Sequence, residues 1–319
     1  MRLSERTKKV LAEFQLSARA PIAATAKRLR LRTHIVRSEL SSLIQRRIAY
    51  PYMLTNPASM GLLEVEVLCS FGSEMQKSLG QLVPTLRKLP GLFSLNVIGG
   101  EFAVMFRLHV RHHKEVCNVL DSLCSGAGLA FERRSIAICT DWELYYRKYI
   151  TTHVPQQKSF RVISDVEKVS VDATDKAILA VLSNHPDAPL SQVSRTVGVA
   201  QSTVLYRFNA LCSAGVIVGF GLSIDEAAID MHSFRIAIRA VHPTLALRKA
   251  MFAFSAQHPH VLSCSSYVGD WDYFLRVEVE TPLDVFTITR DLANAISPHR
   301  VHISVIPVLQ EIHFRQRQT

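Results

Sequence analysis

The chain has 319 residues, 48% of them apolar and 20% charged, enough for two or more domains with separate cores, which excludes a disordered or fibrous protein. Its formal net charge of +10 is unevenly spread: residues 1–150 hold 22 Lys and Arg against 12 Asp and Glu, residues 151–319 hold 15 of each, and the first fifty alone hold 12 against 3. So dense a local excess predicts a polyanionic partner rather than a surface tuned only for solubility.

In chain order, residues 3–15 have helical periodicity. Residues 22–29 form a second short helix after Pro21, and residues 33–46 a third, with Val36, Leu40 and Leu43 on its buried stripe. A wing follows through about residue 54. The apolar and polar alternation of residues 62–71 predicts a strand with one buried face. An amphipathic helix over 75–88 ends before Pro90 and Gly91, two strands flank the turn Gly99-Gly100-Glu101, a helix covers about 113–125, and a last strand lies in 133–140. The aromatic segment 141–150 fits either an extension of that strand or a short packing helix. Residues 151–171 are polar without a sustained period and predict a linker, with a short strand at FRVIS.

The sharpest local pattern lies in residues 189–222. Leu190, Val193 and Val197 recur at helical spacing, and Gly198 sits where a tight turn needs positive φ. Val204, Phe208 and Leu211 form the stripe of a second helix, which Gly215 stops before a β-branched, glycine-interrupted run. This is a helix-turn-helix with a β-wing, and it has a degenerate twin. Residues 7–54 overlay 175–222 at a constant offset of 168, and residues 100–110 overlay 269–279 at 169. One slipped residue in more than a hundred marks a duplication.

The strand and helix pattern also repeats, so each helix-turn-helix is followed by βαββαβ, the ferredoxin-like order of four antiparallel strands with two helices on one face. The predicted fold class is α+β: two winged helix-turn-helix domains (1–56 and 172–228) alternate with two ferredoxin-like sheet domains (57–150 and 229–319), with 151–171 between the units. The helix-free faces of the two sheets are expected to pack against each other.

Asp172 and Asp175, Gly198, Ser202-Thr203-Val204, Gly215-Val216-Ile217 and Gly269-Asp270-Trp271-Asp272-Tyr273 follow one another in the order and spacing of a known family. Both units resemble the Lrp/AsnC transcription regulators, here in a tandem form. The resemblance implies a DNA-reading domain paired with a domain that oligomerises and binds a small effector, an amino acid, between paired subunits. It also implies further self-association. The first unit departs from the pattern: Arg30 replaces the turn glycine, Ser4 and Thr7 replace the opening aspartates, and Ala103 stands where the second unit has Asp272.

Recognition helices meet base edges mainly through their N-terminal turns. In the second head the candidates are Gln201, Ser202 and Tyr206, with Arg195 and Arg207 for phosphates. In the first they are Thr33, His34, Arg37 and Ser38, flanked by Lys27, Arg28, Arg30 and Arg32. Arg37 has the fork that reads guanine, whereas the flanking cations fix register on the backbone of double-stranded DNA. The resemblance places the effector at Gly99, Gly100 and Glu101 and at Gly269 and Asp270, with the Asp272 carboxylate meeting an α-amino group. Residues 172–222 hold three cations and three anions. The first head is therefore expected to supply most phosphate affinity and the second most sequence choice.

No nucleophile elbow, phosphate loop, dinucleotide glycine pattern or zinc-protease motif occurs, and the histidines lack cysteine or carboxylate partners at ligand spacing. No catalytic centre, metal or cofactor is expected. The six cysteines never occur as C-x-x-C, and there is no run of about 18 apolar residues or signal-peptide start, which predicts buried thiols in a cytoplasmic protein with no membrane partner. The alternative is an enzyme. In length and layout the chain also resembles tetrapyrrole (sirohaem) decarboxylases. Where such enzymes carry a His-Asn-Tyr-type run, this chain has Ser94-Leu95-Asn96 and Ser263-Cys264-Ser265-Ser266-Tyr267, which favours the regulator.

Overall fold

The computed structural model describes residues 3–71, 75–86, 88–89, 91–126 and 130–312; the expected helix stop at Pro90 and both ends of the chain fall outside them. The first helix, α1 (Glu5–Gln15), starts at Ser4, whose hydroxyl accepts from the Thr7 amide at 3.1 Å and satisfies one of the first turn's orphan donors. Then come α2 (Ile22–Leu29), α3 (Thr33–Gln45), β1 (Ala49–Thr55), β2 (Leu63–Phe71), α4 (Met75–Leu86), β3 (Leu92–Ile98), β4 (Val104–Val110) and α5 (His113–Gly126). The next strand, β5 (Phe131–Tyr145), runs on into the aromatic segment, and β6 (Ser159–Ile163) is the short strand between the units. The second half repeats the order with α6 (Ala173–Asn184), α7 (Leu190–Val197), α8 (Gln201–Ser213), β7 (Ile217–Ile224), β8 (His232–Ala240), α9 (Leu245–Gln257), β9 (Val261–Gly269), β10 (Tyr273–Val279), α10 (Asp284–Ala295) and β11 (Val301–Ile312). Asp172 and Asp175 start α6 as a reciprocal capping box.

The wing strands do not fold back on their own heads. β1 and β7 pair with each other, antiparallel, with Ala49 opposite Ile224 and Met53 opposite Phe220. Leu222 and Ile224 therefore sit in the core of the first head, and Met53 in that of the second. The glycines interrupting β7 serve close approach: a β-carbon on Gly219 would lie 2.4 Å from the Phe160 ring, and one on Gly221 would lie 2.5 Å from Tyr52 Oη.

The other nine strands form one sheet in the order β2-β4-β3-β11-β8-β10-β9-β5-β6, and β5 also pairs with β2. The helix-free faces of the two units face each other, as expected, but as the inside of one closed sheet and not as two separate sheets. The units join edge to edge at β3·β11 and β5·β9, and the β2·β5 pairing closes eight strands into a ring. Each unit leaves two strand edges open, and the other unit satisfies them. At one seam Gly269 has φ of 152°, and a β-carbon there would lie 2.5 Å from the Ile136 carbonyl oxygen. α4 and α5 cover one flank, α9 and α10 the other, and the inner faces share a core that includes Leu68, Met105, Ala237, Phe274 and Ile306.

β2 was expected to bury one face and buries both. Glu64 and Glu66 are 5% and 2% exposed because the polar face points into the ring, where Arg107 pairs with them at 3.1 and 2.9 Å. Farther round, Glu278 on β10 grips Arg147, just past β5, through two hydrogen bonds of 2.7 and 2.8 Å. The Arg147 amide donates to Gln15 Oε1 on α1 at 2.8 Å, and Glu226, after β7, pairs with Arg276 on β10. These contacts fasten the heads to the ring.

Burial alone would raise the Glu278 carboxyl, but Arg147, Arg276 and the Tyr149 hydroxyl hold it below the usual carboxylate range. A lowered folded value stabilises the protein above the ordinary carboxylate pKa of about 4.3 and loses that contribution as pH falls through the folded value. Glu278→Gln is therefore expected to be less stable at pH 7 by about 3 kcal/mol, since Arg147 keeps only the longer, 3.8 Å contact to Glu226. It should also lose less than the parent below about pH 4.3; urea denaturation across pH measures both effects.

Candidate functional site

Two arginines in the first head occupy turns that glycine takes in the second. Arg30 ends α2 with φ of 55° and Arg47 follows α3 with φ of 56°, whereas their twins Gly198 and Gly215 have φ of 78° and 69°. The non-glycine residue expected at the first turn does adopt the left-handed conformation, which costs an L-residue roughly 1–2 kcal/mol. Both side chains are exposed, one beside each end of α3.

Thr33, His34, Arg37 and Ser38 are exposed along α3, while Val36 and Leu43 are buried. Lys27, Arg30 and Arg32 are exposed and form no ion pair among the described residues. Arg28 differs: its Nη2 holds Glu13 Oε2 at 2.8 Å, and the same carboxylate meets His153 at 2.9 Å. On α8, Gln201 and Ser202 are exposed and Tyr206 is 72% exposed; Arg195 on α7 is also exposed.

Arg207 is engaged, its Nη1 lying 2.7 Å from Asp172 Oδ2 and 3.4 Å from Asp175 Oδ2, which braces α8 against the start of α6. The first head makes the same brace with opposite sign. Glu39, the twin of Arg207, takes Arg6 at 2.7 Å and the Thr7 hydroxyl at 2.9 Å. Charge at this position follows the cap it must hold.

A cavity of about 480 Å³ opens where the hairpin turns of the two units meet. Glu101 and Phe102 come from the β3–β4 turn, Asp270 and Trp271 from the β9–β10 turn, Arg133, Arg134 and Ser135 from β5, Arg239 from β8 and His302 from β11. Of the predicted effector residues, Glu101 and Asp270 are walls, and Gly99, Gly100 and Gly269 belong to the adjoining turns. Asp272 turns its Oδ2 to the Ala240 amide at 2.7 Å and braces the hairpin. Arg239 packs over the Trp271 ring at 4.9 Å and donates to the Asp270 carbonyl at 2.6 Å, and Arg133 pairs with Glu101. Sequence reasoning missed Phe102, Arg133, Arg134, Ser135, Arg239, Trp271 and His302 as walls. The duplication offset, which aligns Arg133 with His302, is the signal that connects them.

A family model described as winged helix-turn-helix DNA-binding matches residues 171–218. The HTH-type transcriptional regulator FL11 of Pyrococcus horikoshii is 27% identical over 113 residues, 35% of this chain and 74% of that protein. The HTH-type transcriptional regulator PH0140 of the same organism is 32% identical over 115 residues, 35% of this chain and 70% of its own length. The chain belongs to the Lrp/AsnC family of transcription regulators. Either relative matches about one unit of this tandem Lrp/AsnC chain. A crystal structure of the siroheme decarboxylase NirDL spans both units, with a TM-score of 0.63 over 96% of this chain and 91% of that one at 10% identity, so the two share a fold. Among the described residues no helix is long and apolar enough to cross a membrane.

Replacing Arg30 by glycine removes the left-handed strain at a smaller cost in unfolded-chain entropy, so Arg30→Gly is expected to raise stability by about 1 kcal/mol, read by thermal denaturation.

Proposed function

We propose that this Lrp/AsnC protein is a sequence-specific regulator that reads an operator of two unlike half-sites, and that a small ligand, an amino acid, held between its sheet units tunes the binding. The observation that carries the reading is the shared ribbon of β1 and β7, which mounts two non-identical recognition helices, α3 and α8, on one support. A homodimer presents the same helix twice and favours palindromes; two different helices do not. The exposed cations Lys27, Arg30, Arg32 and Arg37 suit the first head to phosphates, and the guanidinium fork of Arg37 also suits a guanine edge. The exposed polar face of Gln201, Ser202 and Tyr206, on a head that holds as many anions as cations, suits the second to sequence choice. The cavity between the hairpins supports the effector part of the reading, and self-association of whole chains goes with the family.

Arg32→Ala together with Arg37→Ala is expected to lower the slope of log affinity against log salt by about 2, one unit for each lost phosphate contact. Gln201→Ala with Tyr206→Ala should leave the slope unchanged and narrow the gap between specific and non-specific DNA. Promoter fragments that give no specific complex at any salt concentration would sink the proposal.

A decarboxylase-like enzyme is the second reading, favoured by the two-unit fold shared with NirDL. Purified protein carrying a visible tetrapyrrole absorption band would bring that reading forward; colourless protein that shifts promoter DNA would retire it.

A further inference from the structure

The cavity at the hairpin turns lies across the relation between the two units. The 169-residue offset pairs Glu101 with Asp270, Phe102 with Trp271, Arg133 with His302 and Ser70 with Arg239. In a dimer of identical chains each pair would be one residue seen twice, and a ligand there would meet the same groups from both sides. Here the partners differ, so the cavity is a single asymmetric site.

Its chemistry is that of a receptor for acceptors. Three arginines and a histidine face two carboxylates, and one of those, Glu101, is already held by Arg133. Arg134 and Arg239 have no carboxylate within ion-pair distance among the described residues. A guanidinium can only donate, so a molecule that engages Arg134 and Arg239 must bring acceptors. The walls offer no socket for an aliphatic side chain: Phe102 is 8% exposed, and the Trp271 ring is already flanked by Arg239 and, stacked at 6.4 Å, by His302. The volume lies within the range of about 300–1,000 Å³ usual for small-molecule sites.

We infer that this cavity binds one dicarboxylate per chain, held by Arg134 and Arg239, and that it rejects amino acids with apolar side chains. The inference rests on the effector reading above and commits it to a ligand class and a stoichiometry. The ligand is either an acidic amino acid, whose ammonium meets Asp270, or a plain dicarboxylate.

Isothermal titration of the full chain with L-glutamate, succinate and L-leucine tests it. One molecule of glutamate or succinate should bind per chain, and leucine should not bind. Tighter binding of glutamate assigns the ammonium to Asp270; equal or tighter binding of succinate assigns a plain dicarboxylate. Arg239→Ala should weaken the binding about tenfold or more. Arg134→Ala, at an exposed side chain without an ion pair among the described residues, should weaken binding while leaving the ligand-free thermal midpoint in place. Leucine binding where neither dicarboxylate binds, or two molecules per chain, would overturn the inference and leave the effector reading standing. No binding by succinate or any of the twenty amino acids would overturn both.

Discussion

A four-stranded sheet with helices on one side has a bare second face, and in this chain the covering is the other copy of the same unit. Much of the architecture follows from that constraint. The two inner faces close over a shared core of Leu68, Met105, Ala237 and Phe274, and the open edges β3 and β5 find β11 and β9. Closure brings the β3–β4 and β9–β10 turns together, so the cavity exists only because the halves meet. The same pairing brings the heads side by side, where β1 and β7 complete each other's cores.

Duplication also let the interior diverge. Glu66 pairs with Arg107 in the first unit, but its twin is Arg235, which lies opposite Arg276 across the β8–β10 ladder. Arg276 is answered by Glu226, Glu278 and Glu311, and Arg235 keeps a buried Nη1 without a hydrogen-bond partner among the described residues. Burial lowers the pKa of Arg235. Buried pairs contribute little net stability, since desolvation offsets attraction. Their weight is felt when they are separated: an arrangement that parted Glu278 from Arg147 would strand a bare charge inside the ring. Because Arg147 also binds Gln15 and Glu226 belongs to the turn after β7, head placement and ring integrity are one problem.

What was legible in the sequence was what is local. The starts of α3 at Thr33 and α8 at Gln201 and the left-handed turn at Arg30 depend on a few neighbouring residues, and the periodicity and the alignment with Gly198 carried them; α1 starts at Glu5, two residues later than expected, because Ser4 caps it. Partner choice is not local. Nothing in AYPYMLT announces that its partner lies some 170 residues away. The alternation of 62–71 reads the same whether the polar face meets water or Arg107. The ion pairs of Arg28 with Glu13 and of Arg207 with Asp172 join residues that meet only after folding. The cavity walls come from three strands and two turns, and only the repeat offset links them in the sequence.

The segment between β5 and α6, pinned to the sheet through β6, sets how the protein responds to dilution. Two separate halves would have to find each other, and their pairing would fall away at low copy number. A covalent tether replaces that encounter with an effective concentration on the order of millimolar. Both heads are therefore present together in proportion to the number of chains, not to its square. Each head can also change by mutation without altering the other.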